Sequence, residues 1–167
     1  MTFASPRSSG WLLVAALVLF TTGCSGKSTE AVASLEPVDV VTGWFDDGIV
    51  EGGKNKLVPS VTMKLRNKAA GPVSSIQINA IFRFLGDTQT LGDYYGWAVP
   101  KQVLPPGAET TVLVMRSAVG YTGTQPRVQM LQNKEFVDAK VEIFLKQGSK
   151  VWAKLAEYPI ERQLITR

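Results

Sequence analysis

Residues Val61-Thr62-Met63-Lys64-Leu65-Arg66 alternate strictly between apolar and polar side chains. Successive side chains of a strand leave opposite faces of a sheet, so this pattern reads as a half-buried β-strand with Val61, Met63 and Leu65 turned to the core. The same period returns at Ile76, Ile78, Ala80, Phe82 and Phe84, with Gln77, Asn79 and Arg83 between them. Turn chemistry at Asn67–Pro72 separates the two runs and predicts that they form an antiparallel pair. Leu104-Pro105-Pro106-Gly107 cannot continue a ladder and introduces a further strand over Thr110–Met115. Near the C-terminus, Val137, Ala139, Val141, Ile143 and Leu145 alternate with Asp138, Lys140 and Glu142, Gln147-Gly148-Ser149 turns the chain, and Val151–Tyr158 returns as a hairpin partner.

Val38–Phe45 and the aromatic segment Tyr94–Val99 bring the count to about seven strands, and helical periodicity never exceeds two turns beyond the first residues. With 45% apolar and 19% charged residues among 167, the composition is that of one globular domain. Turn signals every ~8 to 12 residues predict an all-β fold, an immunoglobulin-like antiparallel β-sandwich, with a small barrel as the competing architecture. Tyr121 follows Ala118-Val119-Gly120 and reads either as a corner tyrosine that bonds the backbone near a sheet edge or as an ordinary loop residue.

The N-terminus determines the expected compartment. Arg7 is the one charge in residues 1–10, and Trp11–Phe20 is an apolar run of ten residues. A helix of that length spans ~15 Å, half of the ~30 Å hydrocarbon core, which suits a signal peptide better than a membrane span. Thr21-Thr22-Gly23-Cys24-Ser25 resembles the lipobox of bacterial lipoproteins. That resemblance implies cleavage before Cys24, acyl chains on Cys24 as the membrane link, and, through Ser25, the periplasmic side of the outer membrane where the cell has one. Cys24 is the sole cysteine, and an exported chain with one bare thiol is prone to intermolecular oxidation, which lipidation prevents. Each buried methylene contributes ~0.8 kcal/mol, so two or more chains hold a protein stably on a bilayer. The alternatives are an ordinary leader with an incidental cysteine, or an uncleaved short anchor.

The expected organisation is therefore a signal peptide over residues 1–23, the lipidated cysteine and a flexible tether over 24–37, and the sandwich over 38–167. Ser25–Pro37 has no aromatic residue and is small and polar, with a mean reach of ~20 Å as a flexible chain. Arg7 is the only charge lost with the leader, so the +4 of the whole chain falls to +3. That charge is dispersed, which leaves no basic patch for nucleic acid.

Ile81-Phe82-Arg83-Phe84-Leu85-Gly86-Asp87 at a strand end, preceded by Asn67 and Gly71-Pro72 and followed by Leu104-Pro105-Pro106-Gly107, resembles the FxLYD-type domains of bacterial envelope lipoproteins. The resemblance covers roughly residues 58–116. It implies an immunoglobulin-like sandwich and does not assign a chemistry.

With no histidine and one cysteine, Cys/His zinc sites, Ser-His-Asp and Cys-His nucleophile systems and an intramolecular disulfide are excluded in a single copy. Neither a cofactor nor a metal is expected, and Asp46-Asp47-Gly48 with Glu51 lacks the alternating oxygen ligands of a calcium loop; it reads as a solvated turn and a mobile loop over Asp46–Lys56. The candidate binding residues are aromatic: Tyr94, Tyr95, Trp97 and Trp152. Strand alternation puts Tyr95 and Trp97 on one face, expected to be core, and Tyr94 on the other; the competing reading makes the cluster a recognition surface. Trp44 is expected in the core, and Trp152, out of phase with Val151, Ala153 and Leu155, is expected to be exposed. Three functions compete: a lipid-anchored, non-catalytic envelope protein that docks to a protein partner, a small-ligand or glycan-binding module built on the aromatic cluster, and a hydrolase with an unrecognised constellation.

Overall fold

The computed structural model describes Met1 and residues 33–165. The leader, Cys24 and the tether as far as residue 32 lie outside the described residues. Leu35–Pro37, expected at the end of the tether, instead open the first strand, and Leu35 is buried in the core.

The strands are β1 (Leu35–Val50), β2 (Lys54–Asn67), β3 (Ile76–Phe84), β4 (Thr90–Val99), β5 (Leu113–Arg116), β6 (Tyr121–Gly123), β7 (Ala139–Gln147), β8 (Ala153–Pro159) and β9 (Leu164–Ile165); one short helix, α1 (Arg127–Gln132), lies between β6 and β7. They form two sheets packed as an immunoglobulin-like sandwich. The first runs β5-β2-β1-β9, with β6 also pairing β2, and the second runs β4-β3-β7-β8. All pairings are antiparallel except β1 with β9.

The alternations in β2, β3 and β7 act as expected. Val61, Met63 and Leu65 from one sheet face Ile78, Ala80, Phe82, Val141, Ile143 and Leu145 from the other, all of them at most 1% exposed. Burial of each large aliphatic side chain contributes ~1.5–3 kcal/mol. Trp44 lies in the same core, fully buried, with Phe136 edge-on at 4.7 Å between ring centroids and Tyr121 at 5.4 Å. The Tyr121 hydroxyl donates to the carbonyl of Val137 and accepts from its N–H, so this side chain does bond the backbone.

Three expectations are corrected. β2 and β3 are not partners: β2 pairs β1 and β3 pairs β4 and β7, so the turn-rich segment after Asn67 is a crossover between sheets. Asn67 secures that crossover from a buried position, donating to the carbonyls of Gly71 and Leu104 and accepting from the N–H of Ala69. The Asp46–Lys56 segment is not a loop but the tip of the long β1–β2 hairpin, closed by a 3-10 turn at Glu51–Gly53. Val137 lies before β7 and is 47% exposed, so the dry face of that strand begins at Ala139.

Candidate functional site

The second sheet turns one face to the core and the other to solvent, and the aromatic candidates meet on the solvent side. On β4, Tyr95 and Trp97 are 55% and 50% exposed, while Tyr94 packs against the core. This reverses the expected placement of all three. The cause is two bulges: Ile76 pairs Val99 while Gln77 pairs Trp97, and Phe82 pairs Gly92 while Arg83 pairs Thr90. Ala98 and Leu91 are the extra residues. Each inserted residue shifts the period-2 phase by one, so Leu91 and Val99 are both buried although the odd-numbered residues between them point outward. Gly96 completes the arrangement on the inner side, because a Cβ there would lie 2.7 Å from the hydroxyl of Tyr94.

Trp97 sits opposite Gln77, which pairs Lys146 on β7; Tyr95 sits opposite Asn79, which pairs Phe144. Trp152, from the turn between β7 and β8, lies edge-on to Tyr95 at 5.9 Å and 73°, and the ammonium of Lys146 is 5.0 Å from its ring centroid. Expected to be exposed, Trp152 is therefore half-buried, and its neighbour Val151 takes the solvent position at 73% exposure. Among the described residues the amide oxygens of Gln77 and Asn79 are covered yet accept no hydrogen bond. Beside Trp97, a groove of about 450 Å³ is lined by Pro100, Lys101 and Gln102. Tyr95, Trp97 and Trp152 are thus brought together. Tyr94 is not part of the surface, and Gln77, Asn79, Lys146 and the groove were missed because only strand pairing places them there.

The rest of this face is ionic. Glu142 meets Lys154 at 2.8 Å and Arg83 at 3.0 Å, and Glu157 holds Lys154 at 2.6 Å and Lys140 at 3.0 Å. The Lys154 ammonium and then the Arg83 guanidinium hold the Glu142 carboxyl at about 2, well below the usual carboxylate range. In this network three cations, Arg83, Lys140 and Lys154, share two carboxylates, Glu142 and Glu157. Among the described residues no group of acidic, histidine or cysteine side chains has a metal-binding arrangement.

Fold and site together define a class: an immunoglobulin-like sandwich with a half-aromatic, half-ionic outer face. No family model matches the chain, and no curated protein matches it. Solved structures superpose on the chain with TM-scores below 0.5 at low identity. A β-glucuronidase from glycoside hydrolase family 2 superposes with a TM-score of 0.44 at 14% identity over 73% of this chain, which spans 11% of that enzyme's length. A Northeast Structural Genomics Consortium target gives 0.43 at 14% identity over 77% of this chain and 86% of its own. A protein from Archaeoglobus fulgidus gives 0.36 at 15% identity, covering 75% and 98% of the two chains.

Proposed function

We propose that the chain is a lipid-anchored, non-catalytic protein of the bacterial cell envelope, held by acyl chains on Cys24, whose sandwich binds an envelope protein partner through the aromatic half of its outer face. The observation that carries this reading is the exposure of Tyr95 and Trp97 beside Trp152 on a face whose other half is ionic. Contiguous exposed rings with a polar border are the composition of a recognition surface, since aromatic residues supply contact area with few rotatable bonds. A photo-crosslinking residue in place of Trp97, in intact cells, should give a discrete adduct absent when the same residue replaces Val128, which is exposed on α1. No adduct above background at Trp97 would remove the protein-docking reading.

The second reading, a small-ligand or glycan-binding module, draws on the groove beside Trp97 and on the unsatisfied amide oxygens of Gln77 and Asn79. Sugars offer C–H faces to rings and hydroxyl donors to amide oxygens. Saturable quenching of tryptophan emission by soluble cell-wall oligosaccharides, lost in Trp97→Ala, would favour it over the first.

A further inference from the structure

We infer that the end of the sandwich from which the tether leaves docks on an anionic lipid surface. This rests on the anchor reading above. Four segments are knitted together at that end. The N–H of Lys68 donates to Ser34, where the tether arrives; Val73 and Leu104 exchange backbone bonds; the N–H of Ser75 donates to Pro100; and the N–H of Gly148 donates to Ser75. The start of β1, the β2–β3 crossover, the β4–β5 loop and the β7–β8 turn therefore form one surface.

Its side chains have an interfacial character. Val103 and Val151 project into solvent at 59% and 73% exposure. Lys101, Lys146 and Lys150 border them, and among the described residues none of the three has a carboxylate within ion-pair distance. Among the described residues the carboxylates near this end are engaged, Glu36 by Lys68, Asp39 by Lys64 and Glu109 by Arg66 and Lys64. The hairpin tip at the opposite end has no such excess, since exposed Glu51 accompanies Lys54. Lysines near an anionic bilayer attract it at short range, and apolar tips enter the headgroup boundary.

Geometry selects this end. Only ten residues separate Cys24 from Leu35, so covalent reach limits their separation to ~40 Å. The tip of the β1–β2 hairpin, near Ile49, lies a further ~45 Å along the strand. The start of β1, which the lysine-bearing loops border, therefore lies nearer to Cys24 along the chain than the hairpin tip does.

The test uses the lipidated chain in vesicles containing phosphatidylglycerol. Once Cys24 is acylated, Val151→Cys or Ile49→Cys introduces the single free thiol, which takes a fluorophore. Headgroup-labelled nitroxide lipid should quench the label at 151 at least threefold more than at 49, and Lys101→Glu with Lys150→Glu should reduce that difference to near unity. Equal quenching at both positions overturns the docking while leaving the anchor intact. A mass spectrum showing Cys24 unmodified overturns the anchor instead. In that case, partition of the Cys24→Ser chain onto phosphatidylglycerol against phosphatidylcholine vesicles decides the docking by itself: about fivefold weaker binding per lysine reversed supports it, and equal partition on both lipids overturns it.

Discussion

Tyr95 and Trp152 meet edge to face at 5.9 Å although 57 positions separate them in the chain, and the contact ties edge strand β4 to the β7–β8 turn across β3 and β7. It brings these two residues together on the face where Trp97 is also exposed.

If that surface binds, its rings should matter for affinity and little for folding. Trp97→Ala and Tyr95→Ala are each expected to weaken partner capture tenfold or more. Both sites are half-exposed, so unfolding free energy should move by about 0.5 kcal/mol. Crosslinking yield and urea denaturation on the same variants separate the two effects.

Trp44→Ala should behave in the opposite way. The ring is fully buried between Phe136 and Tyr121, so its removal opens a cavity between the sheets and is expected to cost about 3–5 kcal/mol. Chemical denaturation should show the loss as a lowered midpoint with an unchanged slope.

Asn67→Asp changes almost no volume and reverses a donor. The buried amide nitrogen serves the carbonyls of Gly71 and Leu104, and a carboxylate in its place would confront both with negative charge. A cost of about 2–4 kcal/mol is expected at neutral pH, smaller in acid as the carboxyl protonates, and a pH series of thermal melts would record it.

Acid should release the stability held in the Glu142 network. Its carboxyl titrates at about 2 in the folded chain, against an ordinary value of 4.5, because Lys154 and Arg83 favour the charged form. The lowered carboxyl contributes fully above the unfolded value and loses that contribution as pH falls through the folded one, so the affected window is about 4.5 to 2. Allowing for solvent screening at the sheet surface, the contribution is about 1–2 kcal/mol. Glu142→Gln should flatten that part of the stability profile, measured by denaturant midpoints.

The strands of this protein are legible in its sequence wherever one side chain in two is apolar and the ladder is regular. β2, β3 and the β7–β8 hairpin could be drawn from residue order, as could the burial of Trp44. The hairpin was accessible because its strands are neighbours in the chain and Gln147-Gly148-Ser149 names the turn. The binding candidates Tyr95, Trp97 and Trp152 were visible as residues. Their exposure was not, since β4 contains the same residue types whichever way it faces.

Alternation records which side chains share a face, a property of the backbone that each strand carries alone. It says nothing of which strand lies alongside or where a ladder slips. The separation of β2 from β3 into different sheets, and the bulges at Leu91 and Ala98 that turn Tyr95 and Trp97 outward, arise only when partners across the sheet are in place. A bulge is a mismatch between two strands, and no single strand contains it.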